Sequence, residues 1–223
     1  VPVRPTVPAS HLTDAEHDLA EFFDLQGAAV AGRWPRTVAR TALSRVFGLD
    51  HWNRALAPVI EAVALAVSAA AGRSVLAGLG LSEDAYESDA TTAWLAQHAA
   101  GVAVGINGRT RDTVRDALTA GLSSEEVRSL FRTFADVRAP QIARTEVTAA
   151  TGFGTREAAH QSGRELTKTW VAGSSPRASH ARLDGETVPM DELFSNGARW
   201  PGDSRLDDKE RSGCNCSMTV DAV

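Results

Sequence analysis

The sequence predicts a mainly α protein: an N-terminal helical assembly followed by a small α+β C-terminal module with a short antiparallel sheet. Three observations carry that expectation. Apolar residues recur at helical spacing to about residue 163. Capping pairs, Thr13 with Glu16 and Ser123 with Glu126, punctuate them. After Leu166 the pattern changes to β-branched and aromatic runs separated by Gly, Pro, Asn and Asp. The division this gives is an extended proline-rich arm over 1–12, a helical domain over 13–139 and the α+β module over 140–223.

The arm, with prolines at positions 2, 5 and 8, has no apolar period of its own and is expected to lie on another surface or to be disordered. It does not read as a secretory leader. Thr13 is expected to cap the first helix, in which Leu19, Phe22, Phe23 and Val30 form the buried stripe until Gly32 and Pro35 break it. A second helix over 36–47 would turn Val38, Ala42, Leu43, Val46 and Phe47 inward. Asp50 caps a third, running to about residue 71. Its Ala-rich stretch over 55–72 raises the question of a membrane span, but Pro58, Glu61 and its shortness favour a buried helix.

Residues 72–80 are expected to be a break, and Ser82 with Glu83 and Asp84 to open a fourth helix to about residue 100. Glycines 101, 105 and 108 predict a joint before a helix over 109–120, which Gly121 ends. The Ser123–Glu126 capping box starts the next helix, with Val127, Leu130, Phe131 and Phe134 on its apolar face. Pro140 marks the start of another, to about residue 163 despite Gly152 and Gly154. Residues 166–171 then predict a strand, 177–183 a short helix or loop, 186–189 a short strand, 195–213 irregular chain, and 216–220 a last strand pairing with the one that carries Trp170.

The chain has 223 residues, enough for a full core. Its 23 basic and 28 acidic side chains are spread evenly, 14 against 17 over residues 1–150 and 9 against 11 over 151–223. No basic face is present, which argues against tight electrostatic binding of nucleic acid. Cys214 and Cys216 are the only cysteines, and a disulfide between residues two apart would be strained. Reduced thiols and synthesis in the cytoplasm are therefore expected.

His180, Asp184, Cys214 and Cys216 form the one set with plausible metal-ligand chemistry. In an extended strand, side chains two apart share a face, so both thiols could point at one ion while His180 and Asp184 complete a tetrahedron. The alternative is two small buried thiols and a hydrogen-bonded histidine, with no cofactor. A catalytic reading would make His180 a general base oriented by Asp184 or Glu146, or pair it with a cysteine nucleophile, without an oxyanion-hole signal to accompany either. Trp170 is expected to anchor the module's core, and Glu146 to pair with Arg177 or to accept from a backbone amide. Asp184-Gly185 and Pro201-Gly202-Asp203 are turn chemistry.

The order of these features carries a resemblance. Arg144-Thr145-Glu146 on a helix, Trp170, Arg177 with Ser179-His180, Leu183-Asp184-Gly185, Phe194 with Gly197, Pro201-Gly202-Asp203 and a closing Cys214-Asn215-Cys216 resemble the phage Mu protein F-like family, the minor head or head-morphogenesis proteins of tailed bacteriophages. The resemblance covers roughly residues 140–220. That family commonly has Asp and Arg where this chain has Ser174 and Ser175, and Asn-Cys-Arg-Cys where it has Gly213-Cys214-Asn215-Cys216.

The resemblance implies a virion protein in few copies, at the capsid interior or portal vertex and assembled in the host cytoplasm. Its implied partners are the portal protein and the major capsid or scaffold protein. Contact with packaged DNA, in packaging or ejection, is a further implied role, and no membrane partner is implied. No established catalysis comes with the family. The rival expectation is a metal-assisted hydrolase or nuclease using His180, Asp184, Cys214 and Cys216.

Overall fold

The computed structural model describes residues 1–35 and 43–223. Its helices are α1 (Ser10–Gly32), α2 (Leu43–Val46), α3 (Leu49–Gly78), α4 (Thr92–Ala120), α5 (Ser124–Thr133), α6 (Ala139–Gln161), α7 (Ala178–Ala181) and α8 (Asp208–Arg211). Strands β1 (Leu166–Val171), β2 (Thr187–Pro189) and β3 (Ser217–Ala222) make one antiparallel sheet of order β2-β1-β3. The mainly α architecture with a small α+β module is therefore present.

By contact the residues group into two compact units, each discontinuous in sequence. One comprises Val1–Thr13, Val63–Ala93 and Gln141–Val223, the other Asp14–Ala62 and Trp94–Pro140. This grouping differs from the linear partition at residues 12 and 139, because 63–93 goes with the C-terminal segment.

In the second unit, α1 presents Leu19, Phe22, Phe23, Gln26 and Val30 as its buried stripe. Phe22 meets Trp52 edge to face at 5.8 Å, Phe23 meets Phe134 at 5.8 Å, and Phe131 meets Phe134 at 5.2 Å. Such pairs add to the area these rings bury. Gln26 Nε2 donates to Asn107 Oδ1 at 2.9 Å and Asn107 Nδ2 to Asn53 Oδ1 at 3.1 Å, so the buried amides are linked. The Ser123–Glu126 capping box forms as expected, with Glu126 N donating to Ser123 Oγ at 3.3 Å and Ser123 N to Glu126 Oε2 at 2.7 Å.

Several expected breaks are absent. Helix α1 starts at Ser10, because the backbone carbonyls of Pro8 and Ala9 take up its first amides; Thr13 lies inside the helix, its hydroxyl donating to Ala9 O rather than capping. Of the second helix expected over 36–47, Val38 and Ala42 lie outside the described residues, whereas Val46 and Phe47 are buried. Helix α3 continues through Pro58 and Gly72 to Gly78. At Gly72 the missing side chain is a packing device: a Cβ there would lie 2.1 Å from Tyr86 Cε2.

The Ser82 signal opens only a 3-10 turn, Glu83–Ala85, where Ser82 Oγ accepts from Asp84 N at 3.3 Å. Helix α4 begins at Thr92 and runs unbroken through glycines 101, 105 and 108, so the expected joint does not exist. Each glycine costs a helix only about 1 kcal/mol, and the buried Ala99, Ala103, Ile106 and Val114 along the same helix offset that.

Pro140 does not begin a separate helix either. The chain passes from α5 through a π-helical turn, Phe134–Arg138, into α6, with Ala139 N donating to Phe134 O. Proline at 140 supplies no N–H and its ring crowds the carbonyl four residues back, so the wider turn immediately before it relieves the conflict without ending the helix.

In the first unit, Leu56 and Ile60 aside, α3 buries Ala64, Val67, Ala71 and Val75 along one stripe. This helix is long and apolar enough to span a bilayer by length and composition, and 44% of its most apolar window is buried within the protein. The arm is not free: Val3 and Val220 exchange two backbone hydrogen bonds beside β3, at 2.6 and 2.9 Å, and Thr6 N donates to Ser74 Oγ at 2.9 Å. Gly154 allows close approach of α6 to α3, since a Cβ would sit 2.2 Å from Ser68 O.

Candidate His-Cys-Cys centre of the C-terminal module

The module's core forms on the face of β1 that carries Trp170. Alternation along a strand sends Leu166, Lys168 and Trp170 inward together. Trp170 is fully buried among Leu183, Phe194, Ala198, Cys214 and Cys216, with its ring edge to face with Phe194 at 5.1 Å and His180 at 5.3 Å. It is the core anchor the sequence predicts. Gly185, at φ +80°, turns the chain so that its amide donates to Trp170 O at 2.9 Å.

His180 sits on α7, and Cys214 and Cys216 lie in the loop just ahead of β3. All three are buried, with His180 Nδ1 3.5 Å from each Sγ. Asp184 is not part of this cluster. It is exposed, and its Oδ1 accepts from Ala172 N at 2.8 Å, closing the turn after β1. Of the four candidate ligands the structure brings three together and leaves Asp184 apart, because the carboxylate follows the turn rather than the histidine. The carboxylate that does approach the ring is one the sequence reading missed: Glu210 Oε2, 3.0 Å from His180 Nε2 and accepting from Ser179 Oγ at 2.8 Å. The ring N–H is not aimed squarely at that oxygen, so the approach is short without being a well-formed hydrogen bond. The Asp207-x-x-Glu210 spacing was the available signal, and Asp207 does cap α8 by accepting from Glu210 N at 2.9 Å.

The loop that carries the thiols is clamped to α6. Gln141 Nε2 donates to Ser212 Oγ at 2.9 Å, Gly213 N to Thr145 Oγ1 at 2.8 Å, and Thr148 Oγ1 to Cys214 O at 2.7 Å. Arg177 donates to Ser212 O, and Arg211 Nη2 lies 3.6 Å from Glu146 Oε1. Glu146 therefore reaches toward the same loop, through Arg211. Residues scattered over seventy positions of sequence converge on residues 211–216.

Electrostatically the two thiols are pushed in opposite directions. Cys214 is pushed above the ordinary thiol value by its hydrogen bond to Cys216 and by burial. Cys216 is pushed below it, through the Cys214 hydrogen bond first and with help from His180 and the Gly173 amide against burial. Asn215, between them, lies 3.5 Å from Ser174 Oγ and packs so tightly on Gly173 that a Cβ there would be 2.0 Å from its Oδ1. Ser174 and Asn215 stand where the resembled pattern has charged residues. The two uncharged replacements touch each other.

A second buried cluster holds the loop after β2. Asp203, fully buried, accepts from Arg199 N at 2.8 Å, Arg199 Nε at 2.9 Å, Arg199 Nη2 at 3.0 Å and Arg205 N at 3.1 Å. Burial alone would raise its pKa, but the Arg199 and backbone bonds hold it below the usual carboxylate range. Gly202, at φ +82°, lets this loop press on α6, where a Cβ would meet Ala149 N at 2.9 Å. Buried Lys168, also missed, donates Nζ to Met190 O at 3.0 Å and Arg199 O at 2.8 Å and lies 5.0 Å from the Phe194 ring centroid. Burial pulls its pKa down to about 8.

Fold and site together define a mainly helical protein that ends in a clamped α+β module centred on one histidine and two thiols. Residues 109–219 match the family model described as Phage Mu protein F like protein. Over that stretch the chain is a phage Mu protein F-like protein, and the family points to phage head morphogenesis and a phage-associated location. The matched segment begins at Arg109 rather than near 140, because α4 and α5 carry periodicity without signature residues. No curated protein and no solved structure matches the chain.

Proposed function

We propose that this protein is a minor capsid protein of a tailed bacteriophage that acts in head assembly from the capsid interior at the portal vertex. Its partners are the portal protein and the major capsid or scaffold protein. The family match over residues 109–219 carries this reading. The module's construction supports it, since a surface fixed by many internal bonds loses little freedom on docking. The net charge of -5 gives no general grip on a polyanion, so contact with packaged DNA in packaging or ejection follows from position near the portal rather than from a basic face.

The hydrolase or nuclease reading is weakened by Asp184, whose carboxylate is exposed and engaged with Ala172 N and so does not serve the histidine or the thiols. The deciding experiment deletes the gene in its phage, restores it in trans, and examines purified heads by quantitative mass spectrometry and cross-linking. A few copies per head, cross-links to portal, and a loss of DNA-filled heads on deletion are expected. Its absence from purified heads would overturn the proposal.

A further inference from the structure

Nδ1 of His180 faces both thiols at once. A ring nitrogen offers one donor or one acceptor site, yet two sulfurs lie 3.5 Å from it, equally close. Hydrogen bonds can serve the trio only as a chain, the ring bonding one sulfur and the thiols bonding each other. An ion among the three atoms would use all of them at once. With Zn–N near 2.1 Å and Zn–S near 2.3 Å, a tetrahedral angle puts nitrogen and sulfur about 3.6 Å apart. Nδ1 and the two Sγ atoms all lie within 4.8 Å of one another, and this is the group of metal-ligating side chains found among the described residues.

We infer that His180 Nδ1, Cys214 Sγ and Cys216 Sγ bind one zinc ion, with a fourth position left to a ligand from outside this set. Two soft thiolates and an imidazole in a close, buried cluster are the donor set that selects zinc over hard, oxygen-seeking ions. The surroundings fit the same use. Glu210 lies 3.0 Å from Nε2, on the far side of the ring from the thiols, where a ligating histidine usually meets a carboxylate that fixes its tautomer and orientation. Ser179 holds that carboxylate at 2.8 Å, and Trp170 lies against the ring. Thr145 and Thr148 fix the backbone on either side of Cys214. The ion joins α7 to the loop ahead of β3 and staples the two together. This assignment rests on the cluster's geometry and not on the capsid role proposed above.

The test uses the full chain, made without an affinity tag and desalted, with zinc measured by elemental analysis against protein concentration. One zinc per chain is expected. Cys216→Ser and His180→Gln should lose it, and Asp184→Asn should keep it. Because the ligand variants could fail to fold, the unaltered protein is also reconstituted with cobalt(II), where thiolate-to-cobalt charge-transfer absorption and intense visible bands report a four-coordinate sulfur site. Chelation should lower the melting temperature by about 10 °C. Substoichiometric zinc with no thiolate–cobalt absorption overturns the site. Full zinc in Cys216→Ser, or loss in a folded Asp184→Asn, overturns the ligand assignment. An unchanged melting temperature after complete zinc removal overturns the stapling role.

Discussion

The two compact units bury different kinds of groups. Among the described residues, the buried polar side chains of the unit formed by Asp14–Ala62 and Trp94–Pro140 are neutral: Gln26, Asn107 and Thr110. The unit containing the sheet buries Glu146, Lys168, His180 and Asp203 as well. Neutral amides bonded to one another tolerate small shifts. A buried charge does not, because each lost partner exposes a desolvation cost of several kcal/mol. The first arrangement makes a stable scaffold, whereas the second fixes one geometry, which is what a docking head or a metal centre requires.

The sharpest way to break this comparison is to remove the central ring of each core. Trp170→Ala and Phe131→Ala should each cost about 3–5 kcal/mol, since both rings are buried at the centre of their clusters. Hydrogen exchange followed by peptide should show Trp170→Ala loosening 166–222 first, and Phe131→Ala loosening 14–62 and 94–140. If either substitution released all peptides together, the chain would unfold as one cooperative body and the contrast would have no energetic meaning.

Asp203→Asn sharpens it through pH. The folded carboxyl ionises below its unfolded value of about 3.9, so its ion pair contributes fully above that value and is lost as pH falls through the lower folded pKa. At pH 7 the variant should be less stable by about 2–3 kcal/mol in urea titration, with the gap to the parent shrinking only below about pH 4. A constant gap across the acid range would show that shape and not charge holds the loop.

These residues also show what could be read before the fold was known. Trp170, the strand around it and the Ser123 cap were legible because alternation and capping spacings are local. The companions of His180 were only half legible. Cys214 and Cys216 announce themselves by type. Glu210 reaches the ring because α8 packs there, and Asp184 leaves it because its own turn claims the carboxylate. The missed continuities at Gly72, Gly101, Gly105 and Gly108 share a cause, since these read as stops on local propensity while burial of the flanking side chains outweighs about 1 kcal/mol at each glycine, and at Pro140 the wider π-helical turn keeps the helix going. The arm was illegible for the opposite reason. Its attachment to Val220 is a backbone pairing between residues 217 positions apart, which no local pattern encodes.

The smallest effects separate helix glycines that packing requires from those it does not. At Gly154 an added Cβ would stand 2.2 Å from Ser68 O, a backbone atom that cannot swing aside, so Gly154→Ala should destabilise by about 1–3 kcal/mol even though alanine is the better helix former. At Gly105 nothing lies within 4 Å of the new methyl group, and the same change should stabilise by about 0.5–1 kcal/mol through the unfolded chain's lost freedom. Opposite signs in thermal or urea unfolding are the expected result. Equal, stabilising changes at both would mean that α6 does not need its close approach to α3, and the sheet-bearing unit would then be less tightly specified than its buried charges suggest.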